Sequence, residues 1–200
     1  GQVTITQQDM DFTDPAAMNL ILNDLAGEYL IATDNIAADN LVSGKTASGS
    51  TWTVTAGDPT SLINSLYDAA REITEDSNFF PTHLCVSPDV WEKLGSQLDS
   101  SKRPVLGYTT DGVVGQNSLG RVGGLAYTAM NVMGLSLVVD NNFASGTMLV
   151  VYAPGFEIYE AQQGILSVQN PSTLSRTFSY YGYFSTFVAK SSFIQGIVIA

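Results

Sequence analysis

The sequence predicts a mixed α+β fold, and three observations carry that prediction. A helix–strand–helix unit runs from 58 to 98. A long amphipathic helix precedes it, from 15 to about 42. Beyond 125 the chain reads mostly as β structure.

The chain opens with Val3 and Ile5 alternating with Thr4 and Thr6, like the end of a strand already under way. Thr13-Asp14-Pro15 is a helix start, with Asp14 as N-cap and Pro15 at the first helical position. Met18, Leu22, Leu25, Tyr29, Ala32 and Ile36 follow at steps of three and four, so they predict one buried stripe. Val42-Ser43-Gly44 ends the pattern, and the helix would be roughly 40 Å long. Such a rod needs an extended platform, most simply a sheet. The polar stretch 45–55 predicts a loop or edge hairpin with a short strand around Trp52.

Asp58-Pro59 opens the next helix, with Leu62, Ile63, Leu66, Ala69, Ala70 and Ile73 on its buried face. Glu72, Glu75 and Asp76 crowd its C-terminal end, where the helix dipole disfavours them, so a compensating group is expected nearby. Phe79-Phe80-Pro81 breaks this helix. Residues 82–86 form a short strand, with Leu84 and Val86 on one face and His83 and Cys85 on the other. Ser87-Pro88-Asp89 caps a further helix that buries Val90, Trp91 and Leu94. A Gly/Ser/Thr-rich loop spans 100–124. LAYTAM, LSLVV, TMLVVYA, FEIYEA and ILSVQ are candidate strands, with turns at 139–142 and 153–155. An aromatic segment from 175 to 200 closes the chain on GIVIA.

Composition narrows the function. Two hundred residues suit one large domain or two small ones. The net charge is −11, and Asp9, Asp11, Asp14, Asp24, Glu28, Asp34 and Asp39 all precede the first basic residue, Lys45. A phosphate-gripping basic stripe is missing, so specific nucleic-acid binding is not expected. Charged residues make up 14% of the chain, against about 25% in typical globular domains. So much uncharged surface fits large protein–protein contacts as well as an ordinary β-rich protein. No apolar run is long enough to predict a membrane span. The start, GQVTITQQDM, carries no signal-peptide pattern and is expected to be that of a fragment or processed product.

Chemistry-bearing motifs are sparse. Cys85 is the single cysteine, which rules out an intrachain disulfide and any CxxC zinc pattern. His83, the single histidine, stands two residues before it. A metal site needs three or four ligands, and a nucleophile and its base normally converge from separate elements. Packing on a core strand is the simpler reading; an enzyme using His83 and Cys85 remains a rival. GxSxG, GxxxxGK[ST] and GxGxxG are all absent. The carboxylate pairs (Asp9 with Asp11, Glu72 with Glu75 and Asp76, Asp89 with Glu92) read as solvated faces. No cofactor or metal is expected, and no enzymatic activity. The aromatic C-terminal run reads as core or subunit interface rather than a stacking platform.

The order of elements points further. It runs ITQQDMDFTDPAAMNLILNDLAGEYLIATDNIAADNLVSG, LINSLYDAAREI, FFPTHLCVSPDVWEKL, a Gly-rich loop, GLAYTAMNVMGLSLVVD, TMLVVYAPGFEIYEA and a last aromatic strand. This succession resembles the major capsid protein of tailed phages, a shell fold shared with encapsulins and the herpesvirus capsid floor. The resemblance covers nearly all of the chain and rests on patterns of elements rather than invariant signatures.

It implies a phage major-capsid-protein-like fold with a long spine helix, an axial mixed α/β domain and a peripheral β-rich domain. The family's N-terminal arm and most of its extended hairpin loop would be absent, with residues 1–6 as the hairpin's returning end. The peripheral domain would comprise 1–44 and 155–185, and the axial domain 45–154 and 186–200. The loop carrying Asp111, Gly112, Gly115, Gln116, Asn117 and Gly120 would face the capsomer axis. Asp24, Glu28 and Asp34 on the spine helix would meet neighbouring subunits.

The implied function is a structural protein of the virion. It would assemble in the bacterial cytoplasm, as pentamers and hexamers, into an icosahedral head enclosing DNA. The implied partners are copies of itself, with scaffold, portal or decoration proteins, and no membrane. An encapsulin-like compartment and a phage tail or adhesion module are the other readings.

Overall fold

The computed structural model describes residues 1–12, 15–54, 59–98 and 131–200. The Gly-rich loop, the strand expected in LAYTAM, and the starts at Asp14 and Asp58 lie outside them. The chain divides into two compact units, Gly1–Ala37 with Glu157–Phe187, and Ala38–Phe156 with Val188–Ala200.

The larger unit is built on a six-stranded mixed sheet. Its strands are β2 (Thr46–Trp52), β3 (His83–Val86), β4 (Asn131–Val132), β5 (Leu135–Val139), β6 (Met148–Val151) and β9 (Ile194–Ile199). Their order across the sheet is β2-β9-β6-β3-β5-β4, which puts β3 and β6 at the centre. β3 runs parallel to β5 and antiparallel to β6. Alternation along β3 sends Leu84 and Val86 to one face and Cys85 to the other, and both faces are covered.

On the first face lie Leu62, Leu66 and Ile73 of α3 (Thr60–Ser77) and Val90 and Leu94 of α4 (Pro88–Gly95). On the second lie Ala38, Leu41, Phe143 and Phe193. A strand covered on both sides has no polar face to show, and Met148, Leu149, Val150 and Val151 are all buried. Phe79, Tyr152 and Phe193 form an aromatic cluster, with Phe79 stacked on Tyr152 at 5.0 Å.

Several expectations are corrected here. The segment around Trp52 is an edge strand but not a hairpin: β2 pairs in parallel with β9, with a register shift between Ala47 and Thr51. Trp52 is fully buried under α3. Ile63 and Ala70 flank the buried face of α3 rather than lying in it, while Ser65 and Ser77 are buried there. The helix ends at Asn78, in the left-handed conformation with φ 60°, whose N–H donates to the Thr74 carbonyl. Its acidic end is relieved by Arg71, paired with Glu75 at 3.4 Å. That exposed pair contributes about 0.3–0.5 kcal/mol.

The smaller unit holds β1 (Gln2–Thr6), α1 (Gln7–Phe12), the first part of α2 (Pro15–Ser43), and most of β7 (Phe156–Asn170) and β8 (Ser175–Val188). Its sheet has the order β1-β8-β7. β1 is antiparallel to β8, with Val3 opposite Phe178 and the hydroxyls of Thr4 and Thr177 2.9 Å apart. FEIYEA and ILSVQ belong to one strand rather than two. Gly164, at φ 96°, lies inside that strand, a position where glycine accommodates an irregular backbone.

The helix expected from 15 to about 42 runs Pro15–Ser43, about 44 Å of helix. Its buried stripe differs from the expected one. Leu25 is buried and Tyr29 half-buried, but Ala32 and Ile36 are exposed. Burial instead steps by four through Leu25, Tyr29, Thr33, Ala37 and Leu41. Each such step turns about 40° beyond a full turn, so the stripe winds round the rod.

Candidate functional site

His83 and Cys85, the two candidate reactive groups, stand on the central strand β3. His83 is half-buried, its Nδ1 2.8 Å from the Thr82 hydroxyl. Cys85 is buried on the second core face, opposite Leu149 of β6. Burial, with the charge of Asp140 adding to it, pushes its thiol up to about 12. A thiol held protonated at neutral pH is a poor nucleophile. Among the described residues, no three His, Cys, Asp or Glu side chains group closely enough to hold a metal.

Asp89, in the first turn of α4, is closely engaged with its surroundings. One carboxylate oxygen accepts from the Ser87 hydroxyl at 2.5 Å; the other accepts from the Ser145 hydroxyl and the Gly146 N–H, both at 2.9 Å. The Ser87 hydroxyl foremost, with Ser145 and the Gly146 amide, holds the carboxyl down at about 2 against its partial desolvation. The motif Ser87-Pro88-Asp89 starts the helix as expected, but Ser87 does not cap its backbone. Its hydroxyl turns to Asp89, which ties α4 to the turn before β6. This is a structural clasp between α4 and the turn before β6.

The expected interface residues divide. Asp111, Gly112, Gly115, Gln116, Asn117 and Gly120 lie outside the described residues. Asp24, Glu28 and Asp34 are all exposed on α2. Asp24 and Glu28 are one turn apart on the same side. Asp34 lies about 80° round the axis from Asp24, so the three do not share one face. Asp34 borders a groove of about 520 Å³ with Leu30, Ile31, Ile158, Glu160 and Phe184.

What sequence reasoning missed is a surface. From 157 to 161 and from 165 to 170 every side chain described on β7 is exposed, on both faces of the strand. Ile158, Tyr159, Ile165, Leu166 and Val168 are more than half exposed, as are Leu174, Tyr183 and Phe187 nearby in sequence. β7 is also an edge strand, with one row of backbone groups unpaired in its sheet. The only signal available was the excess of aromatic and β-branched residues. In the larger unit a second groove, of about 480 Å³, lies between α3 and the β4–β5 turn, with Tyr67, Phe80 and Met133 on its walls.

A family model described as phage capsid protein matches residues 1–191. Solved structures share the fold. The chain is similar to one from Gordonia phage Cozz at 11% identity and TM-score 0.72, covering 100% of this chain and 69% of that one. A chain in the capsid of an empty GTA particle, computed with C5 symmetry, gives 10% identity and TM-score 0.73, with 100% and 72% covered. One from Mycobacterium phage Che8 gives 15% and 0.65, with 98% and 68% covered. No curated protein matches the chain.

Proposed function

The chain belongs to the phage capsid protein family, and from that premise we propose that it builds the icosahedral head of a tailed phage, self-assembling as pentamers and hexamers around packaged DNA. It is a structural protein of the capsid. Its work is done by surfaces rather than by a reactive centre, and we assign it no catalysis.

The observation that carries the assembly reading is β7. A long edge strand with apolar side chains exposed on both faces is a poor way to end a monomer. It is a good way to begin a contact with a neighbouring copy. A low share of charged residues fits the same reading, because charges are depleted in the cores of interfaces.

We assign the peripheral role to residues 1–44 and 155–185 and the axial role to 45–154 and 186–200. The loop at 111–120 would face the capsomer axis, and Asp24 and Glu28 would meet adjacent subunits. Scaffold, portal or decoration proteins would join during assembly in the host cytoplasm. Specific contacts to nucleic acid have no part, and a negative inner wall would leave packaged DNA free to move.

Negative-stain microscopy with native mass spectrometry on the purified chain tests this. Closed shells, or rings of five and six copies, are the expected result. A chain that stays monomeric at every concentration and salt tried would overturn the reading.

A further inference from the structure

The groove beside Asp34 goes beyond self-assembly. Its walls are Leu30 and Ile31 of α2, Ile158 of β7 and Phe184 of β8, and two carboxylates, Asp34 and Glu160, stand among them. Leu30, Ile31 and Ile158 are 59%, 55% and 55% exposed, so the floor is open apolar surface. Glu160 accepts a hydrogen bond from the Tyr29 hydroxyl at 3.1 Å, which fixes it at the groove and leaves further acceptor positions on the carboxylate.

The surrounding charge says what fits. The smaller unit carries eight acidic side chains: Asp9, Asp11, Asp14, Asp24, Glu28, Asp34, Glu157 and Glu160. It carries one basic side chain, Arg176, which lies over the Phe178 ring at 5.7 Å. At this groove another copy's smaller unit would meet Asp34 and Glu160 with the same negative charge, whereas a basic segment is complementary to them. The groove on α3 differs, because its two charges, Arg71 and Glu75, are paired with each other and select no sign.

We propose that the groove between α2 and strands β7 and β8 docks a basic, amphipathic polypeptide segment of a partner protein. Apolar side chains of the segment cover Leu30, Ile31 and Ile158. Lysine or arginine heads reach Asp34 and Glu160 while their stems lie along the apolar wall.

The test uses the intact chain and three labelled synthetic peptides of equal length, alternating Leu/Lys, Leu/Glu and Ser/Lys, read by fluorescence anisotropy. The Leu/Lys peptide should bind, the Leu/Glu peptide should not, and the Ser/Lys peptide should bind at least about tenfold more weakly. Ile158→Ser, Ile31→Ser and the double variant Asp34→Asn with Glu160→Gln should each weaken Leu/Lys binding by about tenfold. Asp68→Asn with Glu92→Gln, an equal loss of charge at exposed positions in the other unit, should leave it unchanged. Circular dichroism and urea midpoints identify any variant that misfolds, and the two serine variants substitute for one another.

The proposal is overturned if no peptide binds, if Ser/Lys binds as well as Leu/Lys, or if the groove variants bind unchanged. It is also overturned if those variants abolish shells while no peptide binds, because the occupant is then a second copy. Peptide binding without shells from the unaltered chain would instead sink the capsid reading and leave this one standing.

Discussion

The two units of this chain are folded to different ends. In the larger, a six-stranded sheet is covered on both faces, and Leu84, Val86, Leu149 and Val150 are almost wholly out of water. In the smaller, a three-stranded sheet leaves one edge strand exposed along nearly all its length, and Leu25 and Phe178 are the large apolar side chains fully buried among the described residues. A sheet covered on both faces stabilises itself. A strand exposed on both faces has to be stabilised by what it meets. The difference separates stability of the fold from stability of the assembly, and each can be attacked alone.

The strongest attack is on the covered sheet. Leu84→Ala should cost about 2–5 kcal/mol in urea unfolding, since it opens a cavity at the centre of the sheet. An unfolding midpoint close to that of the unaltered chain would break the comparison.

Asp89→Asn comes next, at about 2 kcal/mol, because the lost bonds are charge-assisted. Here pH gives a second reading. The folded carboxyl, at about 2, lies below its ordinary value of 3.8. Its contribution is therefore present above the ordinary value and is lost as pH falls through the folded one. Urea midpoints measured between about pH 4 and pH 2 should fall in the unaltered chain, with this component missing in the Asn variant. Identical acid profiles would remove the clasp from the account.

Gly155→Ala should cost about 1–2 kcal/mol, because an added Cβ would collide with the Phe193 ring. A smaller loss in thermal unfolding would show that the aromatic cluster can shift. Smallest in stability is the pair Ile165→Ser with Leu166→Ser on β7, within about 0.5 kcal/mol for the isolated chain. The same pair should lower the yield of particles by sedimentation. A large loss of monomer stability together with intact assembly would reverse the contrast between the units.

The larger unit was the more legible in sequence. HLCV between a Phe-Phe-Pro break and a Ser-Pro-Asp start could hardly be anything but a short buried strand between two helices. LSLVV and MLVV are just as compact. The extent of α2 was legible too, because Pro15 and Gly44 bracket it, but its burial was not. Which side of a helix is covered depends on partners, and the stripe through Thr33 and Ala37 is weaker in composition than the one through Ala32 and Ile36.

β7 reads in sequence as two strands, because the polar Gln162-Gln163 and Gly164 separate its two apolar runs. The parallel pairing of β2 with β9 joins residues from distant parts of the chain and leaves no local trace. The groove beside Asp34 is assembled from three elements, so its walls come from distant parts of the sequence. Its acidic character was visible only as a charge imbalance.

The strand orders also set a timetable. β9 lies between β2 and β6, and β8 lies between β1 and β7. Each sheet therefore has a gap that only a late-synthesised strand can fill. A nascent chain still short of residue 188 cannot complete the smaller sheet, and one short of residue 199 cannot complete the larger. Pairings this distant in sequence are slow to form. Neither unit's sheet is therefore whole, and neither can offer its finished surface to another copy, until the strand that fills its gap has been made.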